Sequence, residues 1–237
     1  MKTFSDLVTI VIPSYNEERY IYNTLWRISR QKFDGILRVI VSDGNSTDDT
    51  IQNISKASED FSNLRIEVVE GGKVGYARNQ GAKKVTTPYI LFMDADSILQ
   101  GEDVFISSLN SLDSFDIISV KQKSTDIDDK KSIWTYKILD SIRMIMPITF
   151  CTGCFFLISK KKFDELGGFD ETLQNSEDFW LSKQVSKRKF KILDEYIGQD
   201  NRRFKKFGYW NFIKINLLNY LNFWNIRWFK KDVGYWV

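Results

Sequence analysis

The apolar run Tyr89-Ile90-Leu91-Phe92-Met93 ends on Asp94-Ala95-Asp96. Carboxylates are costly to take out of water, so a pair closing a strand-like segment marks the point where that segment meets solvent or a ligand. At strand spacing, i and i+2 project the same way. In a turn leaving the strand the two aim at different parts of one ligand. One carboxylate can then accept from a ribose hydroxyl while the other holds a hard divalent cation. Mg²⁺ or Mn²⁺ takes one or two protein carboxylates and completes its shell with phosphate and water. A solvated turn carrying incidental acids explains the same residues.

Three further sets have chemistry of this kind. Asp43-Gly44 closes another apolar run; Asp43 can accept from a base N–H and Gly44 lets a ligand approach the backbone, although Asp-Gly-Asn-Ser is also ordinary turn chemistry. Gly75-Tyr-Ala-Arg78-Asn-Gln-Gly81 opens a helix whose N–H groups and arginine can meet an anion; the alternative is a surface arginine. Glu177-Asp178 stands at an expected helix start, where acids compensate the dipole or where one of them takes a proton from an attacking hydroxyl. Neither G-x-G-x-x-G nor G-x-x-x-x-G-K-[ST] occurs, which removes the dinucleotide fingerprint and the P-loop. Cys151 and Cys154 have no second cysteine pair or histidine to complete a zinc site, so packing thiols are expected.

The elements that must position these groups alternate through the first half. Strands are expected over 7–13, 36–41, 64–69 and 89–93. Helices are expected from Asn16 as cap, from 46–49 to about 57, and over 75–84. Nearly unbroken apolar strands between helices argue for a parallel sheet covered on both faces, and ligands of such sheets gather at the carboxyl ends of the strands. The second half reads as strand 115–120, a mobile polar loop over 121–131, helix 133–146, strand 148–158 around Thr152-Gly153, helix 160–166, helix 176–186 and strand 190–193.

At 237 residues, 43% apolar and 27% charged, the composition is globular, and a net charge of +3 is too small to argue for nucleic acid. With no histidine, a metal site must use oxygen ligands or the two thiols. The N-terminus runs into a strand without signal-peptide regions and no run is long enough to span a bilayer, so a cytoplasmic protein is expected. Residues 201–237 differ in kind. Arg202, Arg203, Lys205 and Lys206 lead into a stretch rich in Trp, Phe and Tyr. Asn211, Lys214, Asn219, Asn222 and Asn225 fall largely on one helical side and leave an aromatic-aliphatic face. That pattern fits a helix lying at the cytoplasmic face of a membrane, one docked on the domain, or a dimer contact.

In their order, VTIVIPSYNEERYI, IVSDGNSTDDT, GYARNQGAKK, YILFMDADS, GGFDE and SEDFWLSKQ resemble glycosyltransferase family 2 over about residues 7 to 195. The resemblance implies an α/β GT-A fold of one domain over 1–200, with a nucleotide-binding half at 1–115, an acceptor half at 116–200, and 201–237 as appended tail. It implies an inverting, metal-dependent transfer of one sugar from a UDP- or GDP-sugar to an acceptor hydroxyl, and the tail suggests that the acceptor is lipid-linked. Pro13, Tyr15, Glu17, Asp43, Gly44 and Arg78 match positions that hold base and ribose. Asp94, Ala95 and Asp96 match the D-x-D motif, with Asp96 on Mn²⁺ or Mg²⁺. Gly153 and Glu177 line the sugar site and Asp178 is the base. Some relatives complete the metal shell with a later histidine, for which Asp200 or water must substitute here. Gln199-Asp200-Asn201-Arg202-Arg203 resembles the Q-x-x-R-W element of processive members loosely, so single transfer is expected. The rivals are a D-x-D phosphatase with Asp94 as nucleophile, a nucleotidyltransferase, and a non-catalytic sugar-nucleotide-binding module.

Overall fold

A computed structural model describes residues 3–231. Its centre is an eight-stranded sheet: β1 (Val8–Ser14), β2 (Leu37–Asp43), β3 (Leu64–Glu70), β4 (Tyr89–Phe92), β5 (Ile98–Gln100), β6 (Ile117–Ser124), β7 (Phe156–Ser159) and β8 (Phe190–Gln199), in the order β3-β2-β1-β4-β7-β6-β8-β5. The first four strands pair in parallel. β7 runs antiparallel between β4 and β6, β8 pairs in parallel with β6, and β5 closes the edge antiparallel to β8. This is a Rossmann-like α/β arrangement.

The unbroken apolar strands are explained by burial on both sides. Ile10, Ile12, Val39, Val41, Leu91 and Met93 face one core, while Val11, Ile40, Ile90 and Phe92 face the other. Period-2 alternation thus sends each residue into a different apolar layer, and each side chain so buried contributes roughly 1.5–3 kcal/mol. The first layer is covered by α1 (Phe4–Leu7), α2 (Ile21–Ser29), α3 (Thr50–Asp60) and α5 (Val104–Leu109). The second is covered by α4 (Val74–Lys83), α7 (Lys160–Glu165) and α8 (Glu177–Ser182). α4 lies unusually close to the sheet: a Cβ on Gly81 would sit 2.4 Å from Val11 Cγ1 and 2.7 Å from Ser42 Oγ. That approach sinks Arg78, one helical turn earlier on α4, into the protein.

Several sequence expectations are corrected. Asn16 does not cap a helix; it sits in a turn at φ 52°, and α2 begins only at Ile21. Lys121–Ser124 continues β6 past a bulge at Val120/Lys121, and the loop shrinks to 125–129 before α6 (Lys130–Ile145). Residues 149–152 are irregular and 153–154 form a turn, so strand β7 is short. α8 stops at Ser182, and β8 runs six residues beyond Leu193, to Gln199. In the C-terminal region, α9 (Arg202–Phe207), α10 (Tyr209–Leu221) and α11 (Ile226–Phe229) pack on α6 and α8 through two clusters, one of Tyr136, Leu139, Phe204 and Phe212, the other of Met146, Leu173, Phe179 and Phe229. Residues 232–237 of the tail lie outside the described residues.

Candidate functional site

Arg78 is the centre of the site. Its side chain is 1% exposed, and its guanidinium donates to Asp94 Oδ1 at 2.6 Å and to Glu177 Oε1. A guanidinium this deep is stable only when paired. Asp94, Glu177 and Asp178 surround it with more negative charge than it balances, and burial drives both Glu177 and Asp178 above the usual carboxylate range, Glu177 to about 7. Phe169 supplies a ring face 5.3 Å from the guanidinium carbon. Arg78, read from the sequence either as an anion contact or as a surface arginine, is instead a buried ionic hub joining α4, the end of β4 and the start of α8.

Asp178 is positioned from two sides. Its Oδ2 accepts from the Gly153 N–H at 2.6 Å and its Oδ1 from the Phe179 N–H at 2.7 Å. Just ahead of it, Ser176 has φ 54°, an uncommon conformation for a residue with a Cβ. Asn219 of α10 donates to the Ser176 Oγ at 2.8 Å. The C-terminal helices thus brace the turn that presents Glu177 and Asp178.

Asp96 lies on the far side of the cavity. One guanidinium nitrogen of Arg202 is 2.8 Å from Asp96 Oδ2 and 2.7 Å from Glu17 Oε1, and the guanidinium rests 4.8 Å from the Tyr20 ring. Burial raises Glu17, opposed mainly by its hydrogen bond to Arg202. Two carboxylate oxygens from different loops therefore converge on one cationic nitrogen. Hard oxygen donors meeting at a point are the donor set that Mg²⁺ or Mn²⁺ takes, so Asp96 and Glu17 are of the right type for a divalent cation, at a point that Arg202 occupies in this structure. Among the described residues no group of three or more acidic, Cys or His side chains is placed to hold a metal ion, so a cation here would need phosphate and water for the rest of its shell. Asp200 accepts from the Arg202 backbone N–H at 2.6 Å and lines the same cavity.

A cavity of about 80 Å³ joins these groups, with Arg78, Asp94, Asp96, Gly153, Glu177 and Asp178 in its wall. Tyr136, Leu139, Phe204 and Phe212 make an aromatic-aliphatic side. The remaining expected residues gather elsewhere. Tyr15, 59% exposed, and Gly44 stand together at the ends of β1 and β2. Pro13 pairs with Ser42 in the ladder beside them. Asp43 closes a turn by accepting from the Ser46 N–H and Oγ at 2.8 and 2.6 Å. Ala95 turns its methyl into the core while its carbonyl accepts from Thr24. Cys151 and Cys154 are free and buried in opposite apolar layers, and burial pushes each thiol up to about 12.

Sequence reasoning missed two arginines. Arg202 left a signal in the Q-x-x-R spacing after Gln199. Arg143 left none: it is 1% exposed at the back of the cavity, bonded to Asp140 at 2.8 Å and Ser119 at 2.7 Å, and its helix pattern resembles any other.

The family model for glycosyl transferase family 2 matches residues 9–167. An uncharacterized glycosyltransferase of Rickettsia felis is 28% identical over 192 residues, which is 76% of this chain and 31% of that protein; the chain thus spans about a third of that relative. Among solved structures, Staphylococcus aureus TarS residues 1–349 with UDP-GlcNAc is similar at TM-score 0.64 and 20% identity, covering 83% of this chain and 59% of that one. The mannosyltransferase PcManGT of Pyrobaculum calidifontis, with GDP-Man and Mn²⁺, is similar at TM-score 0.64 and 20% identity, covering 80% and 56%.

Proposed function

This chain belongs to glycosyl transferase family 2, and from that premise we propose that its cavity carries out a single, inverting transfer of a sugar from a nucleoside-diphosphate sugar to a hydroxyl acceptor. The observation that carries the reading is convergence. Asp96 and Asp178, more than eighty residues apart in sequence, line one cavity with Arg78 fixed between their loops. The nucleoside lies along the exposed ends of β1 and β2, with Tyr15 against the base, and the diphosphate reaches Asp96.

Asp178 takes the proton from the acceptor hydroxyl. The acceptor oxygen bonds to the anomeric carbon, and the bond from that carbon to the diphosphate oxygen breaks with its electron pair leaving on the nucleotide. Attack opposite the leaving group inverts the anomeric centre. A base raised by burial is better matched to neutral pH than an ordinary aspartate, and general-base help is worth about 10²–10⁴-fold. When bound at Asp96 and Glu17, Mn²⁺ or Mg²⁺ would offset the charge growing on the leaving diphosphate. Arg78 does not reach out to the donor on this reading; it holds Asp94 and Glu177 in place. The pairing of Asp94 with Arg78 speaks against a nucleophilic aspartate and so against a phosphatase.

The cavity is far smaller than the roughly 300–1,000 Å³ of typical ligand sites. Donor entry on this reading draws Arg202 away from Asp96. The aromatic wall of Tyr136, Phe204 and Phe212 suits an acceptor with an apolar portion, such as a lipid-linked one. Asp178→Asn tests the assignment. Donor binding by calorimetry should persist while nucleotide release on acceptor addition falls at least a hundredfold. Unchanged turnover, or lost donor affinity, would remove Asp178 from the role of base.

A further inference from the structure

Helix α6 is apolar on the side that faces solvent. Its inward side mixes Ser132, Thr135, Asp140 and Arg143 with Tyr136 and Leu139, all buried, whereas its outward side carries Trp134, Ile138, Ile142 and Ile145, with Trp134 67% and Ile145 83% exposed. At 100° per residue these four fall within one quarter of the helix circumference. α10 repeats the pattern. Phe212 and Asn219 are buried, and the opposite side shows Trp210 at 84%, Leu217 at 53% and Leu221 at 51%. One residue of the expected polar side departs from it: Asn219 is inside, bonded to Ser176 and to the Trp228 indole, while Asn211, Lys214 and Asn225 are exposed. The two helices meet through Tyr136, Leu139 and Phe212, which also line the cavity. Contiguous exposed apolar side chains rimmed by polar ones mark an interaction site.

Charge identifies the occupant. Between 205 and 231 the chain carries Lys205, Lys206, Lys214, Arg227, Lys230 and Lys231, all exposed, and no acidic residue. Lys214 lies within the exposed stripe of α10 itself, and Lys130, Lys131 and Lys137 are exposed on α6. Of the acids just before α6, Asp126 and Asp129 are bonded to Asn201 and Tyr209, Asp126 also lies 4.0 Å from Lys205, and Asp128 is exposed. Indole, aliphatic and lysine side chains in this mixture suit the boundary between headgroups and acyl chains, with cations on anionic lipid. No helix among the described residues is long and apolar enough to cross a bilayer, so the contact is with a surface.

We propose that the outer faces of α6 and α10 form one docking surface for an anionic phospholipid bilayer, seated beside the acceptor end of the cavity. The purpose of this surface, presenting a lipid-borne hydroxyl to the site, rests on the glycosyl-transfer reading; the binding itself does not. Arg202 connects the two, because it begins α9, which leads directly into α10.

Flotation of the full chain with vesicles tests this without donor or acceptor. Binding should be at least tenfold tighter to phosphatidylcholine containing 30% phosphatidylglycerol than to phosphatidylcholine alone, and should weaken in 0.5 M salt. Trp134→Ser/Ile145→Ser on α6 and Trp210→Ser/Leu217→Ser on α10 should each lower binding about tenfold or more. These positions are exposed, so melting temperatures and donor hydrolysis in the absence of lipid should stay at the wild-type values. An α6 variant that binds like wild type would overturn the proposal. So would a vesicle-blind protein whose sedimentation shows a dimer dispersed by the same substitutions, since the stripes would then join two copies of the chain. Asp178→Asn should still float; a catalytic assignment that failed would leave this result standing.

Discussion

Gly153→Ala offers the sharpest test of how the site is assembled. An added Cβ would lie 1.9 Å from Arg78 Nη2, 2.7 Å from its Cζ and 3.1 Å from Nη1. Ordinary contact begins at 3.4 Å, so Nη2 must retreat by 3.4 − 1.9 = 1.5 Å. That nitrogen donates to Asp94 at 2.6 Å. A retreat of this size away from Gly153 breaks the bond unless Asp94 follows. The far end of an arginine is usually cheap to move, but this one is buried with both amino nitrogens engaged. Losing one partner of a buried pair costs roughly 3–5 kcal/mol, and the lower end applies because Asp94 keeps some contact with water. The alternative is for the backbone at 153 to move, which pulls the N–H away from Asp178. Both routes damage the cavity.

At about 2–4 °C per kcal/mol for a chain of this length, the melting temperature should fall by roughly 6–12 °C. Turnover measured by nucleotide release should drop at least tenfold in the folded fraction. Gly75→Ala is the control: its Cβ would find nothing nearer than 3.6 Å, and on α4 it should be neutral or stabilising by up to about 1 kcal/mol. A double-mutant cycle with Arg78→Ala isolates the cause. If the clash is with Arg78, most of the Gly153→Ala cost should vanish in that background. Additive costs, or a Gly153→Ala protein that melts and turns over like wild type, would refute the reasoning.

Other outcomes follow from the same geometry. Since burial raises Asp178 and the base must be deprotonated, kcat/KM should climb with pH along an acidic limb centred above the ordinary aspartate value of about 3.9; a limb at or below that value would contradict the burial argument. Glu177 is raised in the folded state to about 7, so its proton stabilises the fold below the unfolded carboxylate pKa and that contribution is lost as pH rises through about 7. Thermal melts should therefore weaken from pH 4.5 to 7.5, and Glu177→Gln should flatten that decline. Arg202→Gln removes the cation competing for Asp96 and Glu17, so Mn²⁺ should bind the donor-free protein about tenfold more tightly, read by electron paramagnetic resonance. Asn219→Ala strips the partners from Ser176 Oγ and the Trp228 indole at a cost of about 1–3 kcal/mol, and limited proteolysis should then cut the C-terminal helices first.

How much of this was legible depends on which force fixed each element. β1, β2 and β4 were readable because both of their faces are buried, so hydrophobicity alone marks their length; β3, at the sheet edge and buried only at Leu64, was readable from its β-branched residues. β6 and β8 were cut short because their second halves, Lys121–Ser124 and Asp194–Gln199, are rich in polar residues, with Ile197 alone entering the apolar core, and are carried on by the ladder beyond the bulge. β7 was obscured by the irregular segment 149–155 ahead of it, which reads as apolar because Cys151, Cys154 and Phe155 are buried there. For the site, carboxylates at strand ends are conspicuous in sequence, whereas their partners are not. Asp94 and Asp96 read as a matched pair, yet they are separated by the cation each one faces: a buried arginine from α4 for Asp94, an arginine at the start of α9 for Asp96. The difference matters chemically. Arg78 cannot leave without exposing Glu177 and Asp94 to each other inside the protein, so that half of the motif is fixed architecture. Arg202 is 40% exposed and attached to a segment whose apolar faces look outward. On the proposed reading its half of the motif is the exchangeable one, and docking of the C-terminal helices on a bilayer would decide where Arg202 sits.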